Sequence, residues 1–197
     1  MGNVHESLDE PVSLDFERLI QPPEGYLRWL AKEAEKHPLR YIRAQAREHV
    51  SKGKALETSS HVDVVLEDKD LLTWVEMKFT SDISPQTTFN NYRNQLARTI
   101  DSGIFMAEKK GKRLVVLLCS PSGFYRKRSR FYHYKLQEYA DFNKIKDDIV
   151  WRELAEIQKY LLAVAWVSLE EVIEVIYRDR DLPQLLEAKA FFRERML

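Results

Sequence analysis

The sequence lacks the features that mark secreted, membrane-spanning or disulfide-bonded proteins. It has one cysteine, Cys119, so no internal disulfide can form, and a reducing cytoplasm is the expected location. Cys119 ends the apolar run of residues 114–119, which favours a core position over a nucleophilic role. No apolar run is long enough to span a bilayer, and the polar, acidic N-terminus argues against a secretory signal. We therefore expect neither a membrane partner nor export.

Net charge is also missing. The 31 Lys and Arg residues balance the 31 Asp and Glu residues, so the protein as a whole has no strong field to attract nucleic acid, and such affinity must come from local patches. The sequence also has no internal repeat, low-complexity tract or clear linker. Its length suits one domain with a sizeable core. We expect residues 1–21 to form a flexible arm and residues 22–197 a single domain.

Residues 61–80 do contain a clear pattern, that of a β-hairpin with three charged residues set into apolar strands. Two runs rich in β-branched and aromatic residues flank the charged turn at residues 67–70. Glu76 and Lys78 are two apart in a strand, so they share a face. A turn of even length puts Asp63 on that face as well, opposite Trp74 and about 7–8 Å from Glu76 on the diagonal.

Two carboxylates at that separation repel each other unless a cation lies between them. Mg²⁺ prefers oxygen ligands, and proteins often hold it with one or two carboxylates, waters and substrate phosphates. With Lys78 near the nucleophile, the cluster suits metal-assisted attack of water on a phosphodiester bond. The predicted cofactor is therefore Mg²⁺ or Mn²⁺. The alternative is a surface hairpin with a solvated charged face.

Asp63, followed on the next strand by Glu76-Met77-Lys78, resembles the D…(D/E)xK motif of the PD-(D/E)XK nuclease superfamily, which has the restriction-endonuclease-like fold. The proline that usually precedes the first acid is replaced by valine here. The resemblance covers about residues 38–119. It implies an α/β fold with an αβββαβ core, a mixed sheet flanked by helices, and here extra N- and C-terminal helices.

The same resemblance implies a metal-dependent nuclease that hydrolyses phosphodiester bonds of DNA, with RNA not excluded. Asp63 and Glu76 would bind the metal with help from the Met77 carbonyl, and Lys78 would orient the attacking water. The alternative is a non-catalytic nucleic-acid-binding or assembly module of the same fold. The sequence leaves open the choice of DNA or RNA, endonuclease or exonuclease, and monomer or homodimer.

Helical periodicity predicts two helices before the hairpin, at residues 24–36 and from about residue 39 to Lys52. The leading strand of the core is expected at residues 54–58. Many superfamily members carry an additional metal-binding glutamate on the helix before the hairpin, and Glu48 matches it by position. The alternative for Glu48 is an ordinary solvated glutamate. His49 has no His or Cys partner at ligand spacing, so we interpret it as structural.

Pro85 and Gly103 predict the start and end of a helix after the hairpin. Superfamily members often carry a glutamine or a basic residue on this helix, beside the active site. Gln95 is therefore predicted to act in catalysis, and Arg93 and Arg98 to contact nucleic acid. The alternative is an amphipathic helix with a polar flank. The predicted buried row is Phe89, Tyr92, Leu96 and Ile100, beside a polar row of Thr88, Asn91, Gln95 and Arg98.

Two apolar runs, residues 112–119 and 160–167, predict interior strands on either side of a helical insertion at about residues 124–158. Basic and aromatic residues alternate where the insertion begins. The basic ones are predicted to bind phosphates, and the aromatic ones to stack on unpaired bases. The alternative is a solvated loop anchored by its aromatic residues. The basic set is Arg126, Lys127, Arg128 and Arg130, and the aromatic set is Phe124, Tyr125, Phe131 and Tyr132.

The final strand is followed by two predicted helices. Ser168 and Glu171 have the spacing of a capping box, in which each residue caps the other's backbone N–H. The last helix is expected to begin near Pro183.

Overall fold

A computed structural model of the protein describes residues 13–91, 93–126 and 130–178. These residues form a five-stranded mixed sheet with helices packed against it. In chain order the elements are β1 (Ser13–Ile20), α1 (Glu24–Lys36), α2 (Arg40–Ser51), β2 (Ser60–Glu67), β3 (Leu71–Met77), α3 (Gln95–Lys110), β4 (Arg113–Ser120), α4 (Ser122–Arg126), α5 (Phe131–Glu138), α6 (Phe142–Asp148), α7 (Leu154–Tyr160), β5 (Leu161–Ser168) and α8 (Leu169–Arg178).

The strands lie in the sheet in the same order as in the chain. β1 pairs with β2 and β2 with β3 in antiparallel fashion, whereas β3, β4 and β5 are parallel. Antiparallel neighbours can be joined by a tight turn, but parallel neighbours need a crossover. Here α3 connects β3 to β4, and α4 to α7 lie between β4 and β5. The predicted α/β architecture with a mixed sheet flanked by helices is confirmed.

α3 covers the centre of the sheet. The Asn94 side chain caps its first turn by accepting the backbone N–H of Ala97 at 2.9 Å, and Gly111 ends it in the left-handed conformation at φ 65°. Gly103 sits in mid-helix, where a Cβ atom would lie 2.6 Å from the Leu114 side chain. Glycine therefore allows α3 to approach β4 closely.

The predicted helix from Pro85 to Gly103 is wrong in both of its ends. Residues 85–91 instead form bends and turns, with an isolated bridge between Thr87 and Asn90. Asn94 offers a better N-cap than Pro85 because its side chain satisfies an N–H that a helix leaves unpaired. The glycine that ends the helix is Gly111.

The N-terminal part of the chain also differs from the prediction. Residues 13–20, assigned above to a flexible arm, form β1 at the edge of the sheet beside β2, and residues 1–12 lie outside the described residues. Most of β1 is exposed, and its sequence lacks the continuous apolar run that marks an interior strand. Residues 54–58, predicted as the leading strand, form turns and irregular backbone instead.

The remaining elements agree more closely with the sequence. The predicted strands at residues 112–119 and 160–167 are shifted by one residue, and the insertion between them is helical. In the capping box, Ser168 Oγ accepts the Glu171 N–H at 3.0 Å, and Glu171 Oε2 accepts the Ser168 N–H at 3.0 Å. The helix predicted near Pro183 lies outside the described residues.

Cys119 is buried in β4, and burial raises the pKa of its thiol to about 11. It is therefore a protonated core residue at neutral pH, as the sequence predicted. Among the helices that the structure describes, none has the length and apolar character needed to cross a membrane.

Candidate active site

The β2–β3 hairpin places Asp63 and Glu76 on one face of the sheet. Val65 pairs with Trp74 and Val64 with Val75, so Asp63, two residues before Val65, is on the face that carries Trp74 and Glu76. The predicted pairing of Asp63 with Trp74 is therefore wrong by two residues. The shared face is nevertheless correct, because the shift is even and parity alone decides the face.

The register follows from the chemistry of the turn. The Asp68 side chain accepts the backbone N–H groups of Asp70 at 2.9 Å and of Leu71 at 2.7 Å. The Asp68 N–H donates to the Leu71 carbonyl at 3.0 Å. Aspartate commonly closes turns through such side-chain contacts. The hairpin thus closes over two residues, Lys69 and Asp70, an even length as predicted but one position later in the chain than the predicted register requires.

Glu76 is the centre of the candidate site. Its side chain is 3% exposed, although it carries a carboxylate. Lys78 Nζ donates to Oε1 at 2.6 Å, and Gln95 Nε2 also donates to Oε1. Oε2 is buried and has no hydrogen-bond partner within the described part of the chain. A buried, unsatisfied polar atom is costly, so this oxygen is a candidate ligand for a group that the chain itself does not supply.

Burial raises the pKa of Glu76 above its ordinary value, and the nearby charge of Asp63 raises it further. Lys78 and Arg98 act in the opposite direction. Two acids and two cations therefore share one small region of low polarity. A divalent cation there would remove the mutual repulsion of the acids and the cost of the buried carboxylate.

Asp63 is held at the open end of the hairpin. Its Oδ2 accepts the backbone N–H of Met77 at 2.5 Å, and its side chain is partly exposed. The contact fixes the carboxylate beside the strand that carries Glu76 and Lys78. Asp63 therefore lies at the solvent side of the cluster, and Glu76 at its buried side.

Gln95 is positioned by the loop that leads into α3. Its backbone N–H donates to the Ser84 carbonyl at 2.8 Å, and its side-chain Oε1 accepts the Ser84 N–H at 3.3 Å. These contacts direct Nε2 at Glu76. Arg98 follows one turn later on α3, close enough to Glu76 to influence its pKa. The structure thus brings together Asp63, Glu76, Lys78, Gln95 and Arg98.

Glu48 does not join this cluster. Its side chain is 59% exposed on α2 and pairs with Lys52 Nζ at 2.5 Å. The buried face of α2 is formed by Ile42 and Ala46. The prediction of Glu48 as a metal ligand is therefore corrected, and the solvated alternative applies. Over the residues described, no group of three or more His, Cys, Asp or Glu side chains is placed to hold a metal.

Arg93 lies in the core, not at a nucleic-acid surface. It is 1% exposed, and its Nε donates to both Glu57 oxygens at 3.0 and 3.1 Å. Its Nη1 donates to Asp101 at 2.7 Å, and its guanidinium lies 3.7 Å from the centre of the Tyr26 ring. The prediction that Arg93 contacts nucleic acid is corrected, because its guanidinium is buried and paired with Glu57 and Asp101.

The basic-aromatic segment divides between the core and the surface. Tyr132 is 1% exposed, and Tyr125 stacks on Trp166 with ring centres 4.1 Å apart. These two aromatics anchor the segment, as the alternative interpretation proposed. Phe131 packs partly buried against the core. Phe124 meets Phe79 edge-on, with ring centres 6.4 Å apart.

The basic residues of this segment are only partly described. The Arg130 guanidinium lies 5.4 Å from the centre of the Phe124 ring. Arg126 ends α4, but the position of its side chain, and Lys127 and Arg128 entirely, lie outside the described residues. Their predicted phosphate contacts stay predictions.

Sequence reasoning missed two residues that hold the site in place. Ser84 anchors Gln95, and Asp82 accepts the N–H groups of Phe131 at 2.5 Å and Tyr132 at 3.0 Å. Asp82 thereby ties the loop after Lys78 to the start of α5. A polar run at residues 80–88 was the only local signal, because the partner of Asp82 lies about fifty residues further along the chain.

No protein-family model, curated protein or solved structure matches the chain.

Proposed function

We propose that the protein is a metal-dependent nuclease that hydrolyses phosphodiester bonds of nucleic acid, with DNA as the expected substrate. The observation that carries the proposal is the buried Oε2 of Glu76, which has no partner among the described residues, beside Lys78 and with Asp63 on the neighbouring strand, bound to the Met77 N–H. This arrangement combines a buried carboxylate that lacks one hydrogen-bond partner, a neighbouring lysine and a second, partly exposed acid. Few structural roles require all three together.

The topology supports a restriction-endonuclease-like core for the same chain. An antiparallel hairpin, β2–β3, is followed by the crossover helix α3 and by β4, which is parallel to β3. This is the ββαβ part of the αβββαβ core that the motif implies. The arrangement departs from the expected order at one place, because the strand beside β2 precedes α1 and α2 in the chain.

Asp63 and Glu76 suit Mg²⁺ or Mn²⁺ as the proposed metal. Both are hard oxygen donors, and two carboxylates are enough when waters and substrate phosphates complete the coordination. The unsatisfied Oε2 of Glu76 gains a partner in this way. When bound, the metal supplies Lewis-acid polarisation of the phosphate and a more acidic water.

The protein's own groups perform the remaining tasks. Lys78 places a positive charge beside the two acids, where it orients the attacking water and balances the charge that develops on the phosphate. Gln95 holds the Glu76 carboxylate in position through its contact with Oε1. Ser84 fixes the Gln95 side chain in turn.

A non-catalytic nucleic-acid-binding module of the same fold is the second candidate. One observation favours it: in the described part of the chain no third carboxylate joins Asp63 and Glu76. The two functions differ in their response to metal, because a pure binding module should bind nucleic acid equally well with and without Mg²⁺.

The test is a cleavage and binding assay on mixed DNA and RNA oligonucleotides in Mg²⁺, Mn²⁺ or EDTA. We expect cleavage in either metal, none in EDTA, and none in Asp63→Asn or Glu76→Gln, because an amide is a poorer ligand than a carboxylate. Asp147→Asn is the matched control, since Asp147 is an exposed acid on α6. Metal-independent binding without cleavage in any condition would favour the binding module instead.

A further inference from the structure

A cleft of about 360 Å³ lies beside the candidate active site. It is formed where α2, the loop before β2, the loop before α3 and α3 itself meet. Its polar lining includes Gln45, His49, Thr58, Gln86, Thr88 and Arg98. Ligand pockets in proteins are typically 300–1,000 Å³. The volume of the cleft therefore lies within the range of ligand-binding pockets.

Arg98 contributes a positive charge to the lining of this cleft. Among the described residues that line the cleft, Glu57 and Arg98 are the two that carry a full charge. Arg93 binds both Glu57 oxygens, and the Tyr26 hydroxyl donates to Glu57 Oε2 at 2.9 Å. The Glu57 carboxylate is thus paired from the core side, which leaves Arg98 as the lining side chain that offers a positive charge to an anion.

Arg98 has unused hydrogen-bonding capacity there. Its Nε is buried and has no hydrogen-bond partner among the residues described. A guanidinium carries five donors in a fixed fork that matches phosphate oxygens. An anion in the cleft would satisfy Nε and recover the cost of burying it.

Several other side chains that line the cleft carry groups that can donate hydrogen bonds to phosphate oxygens. Thr58 and Thr88 contribute hydroxyls, and Gln45 and Gln86 contribute amides. His49 Nδ1 lies 3.0 Å from the backbone carbonyl of Gln45, a contact that holds the ring in place. The cleft is therefore equipped for an anionic, oxygen-rich ligand.

We propose that this cleft binds a phosphate group of the nucleic-acid substrate, next to the phosphate that is cleaved, with Arg98 as its main contact. Arg98 lies three residues after Gln95 on α3, and Gln95 donates to Glu76, so the cleft and the acidic pair lie near the same end of this helix. The choice of nucleic acid as the ligand rests on the proposed nuclease function, whereas phosphate binding itself does not.

The first test uses inorganic phosphate and needs no activity. In a ¹⁵N spectrum of the arginine Nε–H groups, phosphate should shift the Arg98 signal saturably, since Nε gains an acceptor. Arg98→Lys identifies that signal by its loss. The Arg28 signal should stay in place, because Arg28 is exposed on α1 and does not line the cleft. An Arg98 signal that phosphate leaves unchanged would overturn the proposal.

The second test measures oligonucleotide binding in EDTA, where no cleavage is expected. Arg98→Ala should weaken binding by roughly tenfold and make the salt slope less negative by about 0.7, the value for one lost contact to a single strand. Arg28→Ala should change neither quantity. If Arg98→Ala does not fold, Arg98→Gln replaces it, since it keeps the length of the side chain but removes the charge. An unchanged slope in the folded variant would contradict the proposal.

Three substrates distinguish a terminal from an internal phosphate. A terminal phosphate predicts that only a 5′-phosphorylated linear strand shows the Arg98 effect, whereas an internal one predicts the same effect with a 5′-hydroxyl or circular strand. Either result supports the cleft. The tests also separate the two proposals. A phosphate response without cleavage in any metal would support phosphate binding in the cleft and contradict the nuclease function. Cleavage without any Arg98 effect would support the nuclease function and contradict phosphate binding in the cleft.

Discussion

Two effects act in opposite directions on the ionisation of Glu76: burial disfavours the charged carboxylate, and the nearby Lys78 favours it. Burial raises the pKa of Glu76 above the ordinary carboxyl value of 4.5, so the folded protein binds this proton more tightly than the unfolded chain. The contribution of Glu76 to stability is therefore constant below that value and becomes less favourable as pH rises through the folded pKa. Such a group is kept for a reason other than stability.

This sign gives the first prediction. Glu76→Gln removes the titration, so the stability of the variant relative to wild type should increase as pH rises from about 4 to about 8. Urea denaturation at a series of pH values measures the difference. Glu171→Gln is the control of opposite sign, because hydrogen bonds from Ser168 lower the pKa of Glu171. That variant should lose stability relative to wild type as pH rises. A pH-independent difference for Glu76→Gln would contradict the assignment of a buried, titrating carboxylate.

At the scale of elements, the close approach of α3 to the sheet determines where Gln95 and Arg98 lie. A Cβ atom on Gly103 would lie 2.6 Å from a Leu114 methyl group and 3.3 Å from the Trp74 ring. Leu114 is fully buried and Trp74 nearly so, so a side chain at position 103 would require these core residues to repack. The spacing between helix and sheet thus depends on a missing side chain.

The second prediction follows. Gly103→Ala should destabilise the protein by about 1–3 kcal/mol through overpacking, offset in part by the ~0.5–1 kcal/mol that alanine gains over glycine in a helix. It should also lower nuclease activity, because α3 carries Gln95. Gly123→Ala is the matched control, since a Cβ there meets nothing within 4 Å. Thermal denaturation of both variants measures the effect, and equal stability of the two would contradict the close packing.

The same elements show what could be predicted from the sequence. The bounds of α1, the strands β4 and β5 and the capping box were predictable, because periodicity, apolar runs and cap spacing are local signals. The start of α3 was not, since proline and asparagine both suit a helix N-terminus and only the fold selects Asn94. The edge strand β1 was missed because charged residues interrupt its four apolar ones, so it has no continuous apolar run.

The candidate site shows the same division. Parity placed Asp63, Glu76 and Lys78 on one face without knowledge of the register, because an even error in pairing does not change the face. Glu48, in contrast, required a judgement of which flank of α2 faces the sheet. One helical position corresponds to a large rotation, so sequence spacing alone could not decide it.

At the scale of the whole molecule, buried charges connect elements that are distant in sequence. Asp101 on α3 accepts from Arg93 before it, from Arg152 at 2.5 Å and from the Trp151 indole at 3.0 Å. Arg93 continues the network to Glu57 in the loop before β2. Charged residues are usually exposed, so a single sequence gives no sign that the four charged side chains of this network meet in the interior.

The third prediction tests this network. Asp101→Asn leaves two buried guanidinium groups short of a countercharge, and we expect a loss of about 3–5 kcal/mol in the free energy of unfolding. Asp147→Asn removes the same charge from an exposed pair with Lys144 and should cost less than about 0.5 kcal/mol. Chemical denaturation measures both. Similar small effects for the two variants would contradict a structural role for the network.

The central claim is that Lys78 completes a metal-dependent catalytic site. Lys78→Ala leaves both carboxylates in place, so the variant should fold and bind Mg²⁺ while its cleavage rate falls by roughly 10²–10³, the usual loss for one preorganised electrostatic contact. Lys78 also lowers the pKa of Glu76, so the rates must be compared over a range of pH, and the defect should persist above neutral pH. Lys52→Ala, which removes an exposed lysine at the C-terminal end of α2, should cleave at the wild-type rate.

The most direct measurement is therefore the single-turnover cleavage rate of Lys78→Ala against wild type, in saturating Mg²⁺, with folding checked by circular dichroism. We predict a folded, metal-binding variant that cuts at least about a hundredfold more slowly at every pH. A folded Lys78→Ala protein that cuts at the wild-type rate would contradict the account.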